Sequence, residues 1–141
     1  MDAIDEKLLL ALRENGRAPT AELARLVGRS RTSVQSRIER LEKQGVILGY
    51  GVRLAPEHGL GAVRAHVAIN VGPKEARAVT TALRAIAQVR VLHSVSGDVD
   101  LIAIAATASV AEMDQVIDRI GALDGVERTR SSIILSTKFE R

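Results

Sequence analysis

Between Thr20 and Gly45 the chain spells two short helices joined by a tight glycine turn, and few folds accommodate that pattern. Thr20 offers a hydroxyl to orphan amide hydrogens, and Glu22 suits the positive end of a helix dipole. Leu23, Ala24 and Val27 follow at helical spacing, and Gly28 closes the run. A sharp turn needs such a residue, because only glycine enters left-handed backbone space cheaply. Ser30 then caps a further helix over 31–44, closed by Gly45. Upstream, residues 2–14 read as a helix capped by Asp2 and stopped by Asn15-Gly16, with Ile4, Leu8, Ala11 and Leu12 on one stripe. Three helices with a glycine at the second turn predict a helix-turn-helix.

Val46–Val52 reads as a short extended segment, a wing or linker strand, and the breaker-rich stretch Ala55–Gly61 as a hinge. The organisation expected is therefore a helix-turn-helix domain over 1–52, a linker over 53–61 and a second domain over 62–141. In that second domain a strand over 62–71 turns Val63, Val67, Ile69 and Val71 one way and Arg64, His66 and Asn70 the other. A helix over 74–87 follows, with Val79, Leu83 and Ile86 inward. Strands over 89–96 and 100–106 flank the turn Gly97-Asp98-Val99. A helix over 110–120 uses Val110, Met113, Ile117 and Ile120, and a strand over 126–137 ends the series. This βαββαβ order predicts a ferredoxin-like sheet with both helices on one face, and hence an α+β protein. The uncovered face, in a chain that is 46% hydrophobic, predicts pairing with a second copy.

Composition narrows the function. Cysteine is absent, which excludes disulfides, thiolate metal sites and cysteine nucleophiles. His58, His66 and His93 lack ligand-like spacing, and no phosphate-cradling loop or nucleophile elbow occurs. No catalytic residues, metal or cofactor are expected, and the chain does not read as an enzyme. Met1 leads into a charged amphipathic stretch rather than a signal peptide, and no apolar run approaches the roughly 20 residues that span a bilayer. A soluble cytoplasmic protein with no membrane partner is the expectation.

The net charge of +3 is modest, but Arg29, Arg31, Arg37, Arg40 and Lys43 concentrate on the third helix against Glu39 and Glu42. Val34, Ile38 and Leu41 fall on one side of that helix, leaving the cationic side for double-stranded DNA. A recognition helix offers its N-terminal residues to base edges. Arg31, Thr32, Ser33, Gln35 and Ser36 are the expected base or near-base contacts, Gln35 suiting adenine and Arg31 guanine or a phosphate. Arg37, Arg40 and Lys43 are the expected phosphate clamps.

The residues also carry a family likeness. Ile4-Asp5, Glu14-Asn15-Gly16-Arg17, Ala21-Glu22-Leu23-Ala24, Val27-Gly28, Ser30 and the run Arg37–Tyr50 resemble the Lrp/AsnC feast-or-famine regulators. So do Ser96-Gly97-Asp98-Val99-Asp100 and Gly125–Ser131, so the resemblance runs nearly end to end. It implies a winged helix-turn-helix joined to a ferredoxin-like ligand and assembly domain, with dimers that often build octamers and amino acids or related metabolites as effectors. Carried over residue by residue, it points to Ser96, Gly97, Asp98 and Asp100 as effector contacts, and to Ser132, Ile134 and Ser136 on the last strand. A carboxylate suits an α-amino group, and free amides at a glycine turn suit an α-carboxylate. The family often has an aromatic where Val99 stands here.

The expected function is thus a sequence-specific DNA-binding transcriptional regulator responsive to an amino acid or related metabolite. Two rivals stand beside it: an effector-independent architectural DNA binder, and a metabolite-binding module acting through protein contacts.

Overall fold

The computed structural model describes residues 1–55, 58 and 61–139. The chain divides into two compact units, Met1–Arg53 and Leu54–Arg141. Within the expected linker over 53–61, Pro56, Glu57, Gly59 and Leu60 lie outside the described residues, as do Glu140 and Arg141 at the chain end.

The first unit is three helices: α1 (Ala3–Glu14), α2 (Thr20–Val27) and α3 (Arg31–Lys43). Asp2 caps α1 by accepting from the amides of Ile4 and Asp5, while the Asp5 carboxylate accepts from the Asp2 amide at 3.0 Å, a closed capping box. Leu8, Leu23, Val34 and Ile38 bury one shared core, with Ile4, Leu12 and Val27 packed around it. Each fully buried aliphatic side chain there contributes about 1.5–3 kcal/mol relative to exposure. Ser30 caps α3 through its hydroxyl, which accepts from the Ser33 amide at 3.2 Å.

Two expectations in this unit need correction. Pro19, not Thr20, is the N-cap of α2, and no side chain caps it; Thr20 is the first helical residue. The extended backbone that a cap requires suits the fixed φ of proline. Residues 46–52 form no strand. A strand needs a partner ladder, and the segment finds none in its own unit, leaving Leu48 and Val52 exposed.

The second unit runs β1 (Val63–Val71), α4 (Ala76–Arg84), β2 (Val89–Ser94), β3 (Leu101–Thr107), α5 (Val110–Gly121) and β4 (Val126–Ile134). The sheet order is β2-β3-β1-β4, antiparallel throughout. Alternation along β1 and β3 turns Ala65, Val67, Ile69, Leu101, Ala103 and Ala105 inward, where α4 and α5 cover them with Val79, Leu83, Met113, Val116 and Ile120. This is the expected α+β architecture. Among the described residues, no helix is long and apolar enough to cross a membrane.

Several element limits and one inward face differ from the sequence expectation. Helix α4 starts later because Lys74 sits at φ 69° and the Glu75 amide donates to Gly72 O at 3.0 Å, closing a turn first. Strand β4 ends at Ile134, and Leu135 is almost fully exposed. In α5 Met113, Ile117 and Ile120 turn to the core as expected and Val116 joins them, while Val110, at the first helical position, stays exposed. The uncovered sheet face is mixed rather than apolar: Arg64, His66 and Asn70 of β1 and Arg128 and Arg130 of β4 share it with Ile102 and Ile104 of β3.

Candidate nucleic-acid interface and effector pocket

Helix α3 is fixed by its apolar side. Val34, Ile38 and Leu41 are buried, so Arg31, Thr32, Gln35, Ser36, Glu39 and Lys43 face solvent. Ser33 is half-buried, and its amide is taken by the Ser30 cap. On the exposed side the Gln35 Nε2 donates to Glu39 Oε1 at 3.0 Å. That bond leaves the Gln35 Oε1 and one amide hydrogen without a partner in the chain, an acceptor–donor pair of the kind that can match the adenine N7/N6 edge.

Two expected phosphate clamps are engaged elsewhere. Arg37 Nη1 donates to Asp2 Oδ2 at 2.7 Å and to Asp5 Oδ1 at 2.8 Å. Arg40 Nη2 donates to both Asp5 oxygens, at 3.0 and 2.8 Å. The expectation that both arginines stand free for phosphate is therefore corrected: both are tied to the N-terminal turn of α1. The Arg37 side chain is only 22% exposed, whereas Arg40 keeps 48%. Burial pushes the Asp5 carboxyl up, but the Asp2 amide and the Arg37 and Arg40 guanidiniums hold it below its ordinary value. Asp2 is pulled down to about 2 by the Asp5 amide and by Arg37.

The turn before α3 sets beside Arg31 two cations, Arg25 and Arg29, that the sequence reading left out of the site. Gly28 adopts φ 66° with its amide on Ala24 O and Arg25 O, and the Arg29 amide donates to Ala24 O at 3.0 Å. Arg25, Arg29 and Arg31 line one shallow recess beside Gly28 and Ser30. The signal was present as three arginines around a single turn, but Arg25 belongs to α2 and escapes a search along one helix.

In the second unit the turn after β2 is pinned to β1 from both ends. The Asp100 amide donates to Ile69 O at 3.1 Å, and Asp100 Oδ2 accepts from the Val71 amide at 3.0 Å. Asn70 Nδ2 donates to Asp98 O at 2.7 Å. One oxygen of the Asp100 carboxylate is thus engaged by β1 backbone, and Asp100 does not line the recess described next. Gly97 sits at φ 109° with open space where a Cβ would stand. A recess of about 260 Å³ opens beside this turn, lined by Asn70, Asp98, Val99, Arg128 and Arg130. Asp98 is therefore brought to a pocket; Ser96, Gly97, Ser132, Ile134 and Ser136 do not line it. Ser132 and Ile134 pair with His66 and Arg64, further along β4 from the recess, and Ser136 lies beyond the strand. Arg128 and Arg130 were missed, although their alternation on β4 places them on one face with Asn70. Among the described residues no group of three or more His, Asp or Glu could hold a metal ion.

Comparison with known proteins matches both units. An AsnC-type helix-turn-helix domain model matches residues 1–42, and an Lrp/AsnC ligand binding domain model matches residues 64–141. The HTH-type transcriptional regulator LrpA of Mycobacterium tuberculosis is 37% identical over 140 residues, covering 99% of this chain and 93% of that one. The leucine-responsive regulatory protein of Haemophilus influenzae is 34% identical, covering 96% of this chain and 84% of that one. Among solved structures, the M. tuberculosis feast or famine regulatory protein complexed with L-methionine superposes with a TM-score of 0.86 at 36% identity, over 99% of this chain and 95% of that one. A Neisseria meningitidis transcriptional regulator in complex with L-Met gives 0.88 at 26% identity, over 99% and 93%.

Proposed function

The chain belongs to the Lrp/AsnC family of DNA-binding transcriptional regulators, and from that membership we propose that α3 reads operator DNA while the C-terminal unit binds an amino acid and joins copies of the chain. The observation that carries the DNA half is the division of α3 into a buried Val34-Ile38-Leu41 edge and an exposed edge bearing Arg31, Thr32, Gln35, Ser36 and Lys43. Gln35, Thr32 and Ser36 sit where base edges would lie, with Ser33 at their margin. Arg31, Lys43 and the open side of Arg40, together with Arg25 and Arg29, would hold phosphates. Arg37 has a structural role in this reading.

Effector binding rests on the recess at Asp98 and on the relatives held with L-methionine. An effector alters DNA binding only by its different affinity for two states of the regulator, so the recess must differ between them. Assembly as a homodimer, and onward to an octamer, is supported by the uncovered sheet face with Ile102 and Ile104 and by the exposed Leu48, Tyr50 and Val52 of the 46–52 segment. The protein works in the cytoplasm as a regulator and not as an enzyme.

Titrating labelled promoter fragments with the full chain across a salt series tests this reading. A DNA binder loses affinity steeply as salt rises, by about 0.9 in log affinity per log salt for each phosphate neutralised. Added amino acids should change affinity or the mass of the particle in solution. Salt-independent binding would sink the DNA half; indifference to every amino acid would leave an architectural binder.

A further inference from the structure

We propose that the recess beside Asp98 selects an acidic amino acid, aspartate or glutamate, over neutral ones. This rests on the reading of the C-terminal unit as an amino-acid sensor and names the class of molecule sensed.

The argument is a charge balance. Two arginines, Arg128 and Arg130, and one acid, Asp98, line the same small recess with Asn70 and Val99. Neither guanidinium has a hydrogen-bond or ion-pair partner among the described residues, and the Asp98 carboxylate has none either; the bond from Asn70 goes to the Asp98 carbonyl. Every α-amino acid brings one ammonium and one carboxylate. Asp98 answers the ammonium and one arginine answers the α-carboxylate in the forked geometry that guanidinium favours. The second arginine then has no partner within the chain, and a second anionic group on the ligand would supply one.

Size and polarity agree. A recess of about 260 Å³ is smaller than the clefts of roughly 300 Å³ and above that hold drug-sized ligands, and suits a molecule of amino-acid size. Val99 is its single apolar lining residue, so the ligand's hydrocarbon part is short. A thioether side chain, like that of the L-methionine bound by relatives, would meet one apolar neighbour and leave a guanidinium unanswered. Arg128 and Arg130 are two residues apart on β4, opposite Asn70 and Ala68 of β1, so they stand side by side on one face.

Isothermal titration of the full chain at fixed ionic strength tests this, using L-glutamate, L-aspartate, L-glutamine, L-asparagine, L-methionine and 2-oxoglutarate. The acids should bind about tenfold or more tighter than their amides, as expected for one added charge-assisted pair. 2-Oxoglutarate, which has a ketone in place of the ammonium, should be about tenfold weaker than glutamate. Arg130→Gln or Arg128→Gln should erase the acid-to-amide ratio while the mass of the particle in solution holds, a control needed because both lie on the sheet face proposed to join copies. Neutral amino acids binding as tightly as the acids, or equal binding by 2-oxoglutarate, overturns the proposal and leaves the sensor reading intact. Binding of no amino acid at all removes both.

Discussion

Asp5 Oδ1 accepts a hydrogen bond from Arg37 Nη1 at 2.8 Å, and the Asp5 side chain is 1% exposed, so a buried carboxylate in the first turn of α1 fastens α3. The same carboxylate reaches Arg40, and it completes the capping box with Asp2. One residue therefore sets the start of α1 and the seating of α3 together.

Removing that carboxylate should loosen the whole N-terminal unit. Asp5→Ala leaves Arg37, mostly covered, without its inner partner, and should cost about 3 kcal/mol, the low end for a broken buried pair because Arg40 is half-exposed. Tyr50 is the only tyrosine and there is no tryptophan, so tyrosine fluorescence during urea unfolding reports this unit alone. An unfolding midpoint unchanged from wild type would refute the fastening role.

Acid should act on the same contact. The folded Asp2 carboxyl lies at about 2 against an ordinary 3.8, and Asp5 is lowered too. Depressed carboxyls stabilise the fold fully above their unfolded values, so stability of the N-terminal unit should decline as pH falls from about 4 towards 2. At the alkaline end Tyr50 is pushed up to about 12 by burial and by donating to Glu42 Oε1 at 2.7 Å. A raised value stabilises below the ordinary 10 and is lost between 10 and 12. Tyrosinate absorbance should show a midpoint near 12, and Glu42→Gln should move it part of the way back.

Variants on α3 should separate grip from reading. Arg31→Ala with Lys43→Ala should weaken binding to all duplexes alike and flatten the salt slope by about 1 for each phosphate no longer neutralised. Gln35→Ala should cost about 1–3 kcal/mol on the preferred operator and little on random DNA. Arg37→Ala should instead lower the melting temperature. A filter-binding series against specific and scrambled duplexes, with melts of each variant, distinguishes these outcomes.

Two glycines at positive φ should respond differently to alanine. At Gly28, φ 66°, a Cβ meets nothing within 4 Å, so Gly28→Ala should cost only the left-handed penalty of about 1–2 kcal/mol. At Gly125, φ 92°, a Cβ would lie 2.8 Å from Glu75 Cβ and 3.0 Å from Val79 Cγ2. Gly125→Ala should therefore cost more, about 2–4 kcal/mol, and act on the C-terminal unit. Circular dichroism melts of the two variants, read beside Tyr50 fluorescence, check both the order and the unit affected.

The parts of this architecture that obey local periodicity were legible in the chain itself. Val34, Ile38 and Leu41 recur at helical spacing, Ser30 carries a cap hydroxyl, and the βαββαβ order follows from alternation and breakers. What escaped depends on residues far apart in sequence. Arg37 and Arg40 look like free cations until Asp2 and Asp5, more than thirty residues away, fold against them. Asp100 looks like a wholly free acid until the Val71 amide engages one of its oxygens. Arg128 and Arg130 join Asp98 only through the β1–β4 register that sets Arg128 against Asn70. The 46–52 segment alternates like a strand, but alternation does not supply the second strand that a ladder requires.

With Arg37 and Arg40 tethered to α1, the outward edge of α3 offers Arg31 and Lys43 beside the acids Glu39 and Glu42. That edge carries as many acids as bases, so in the proposed reading its own grip on phosphate is modest and Arg25 and Arg29 at the preceding turn add to it. If α3 reads DNA as proposed, a single reading head of this kind holds poorly, and lasting occupancy would come from several heads landing on correctly spaced sites together. Any signal that changes how many heads act in concert would then decide which promoters stay occupied.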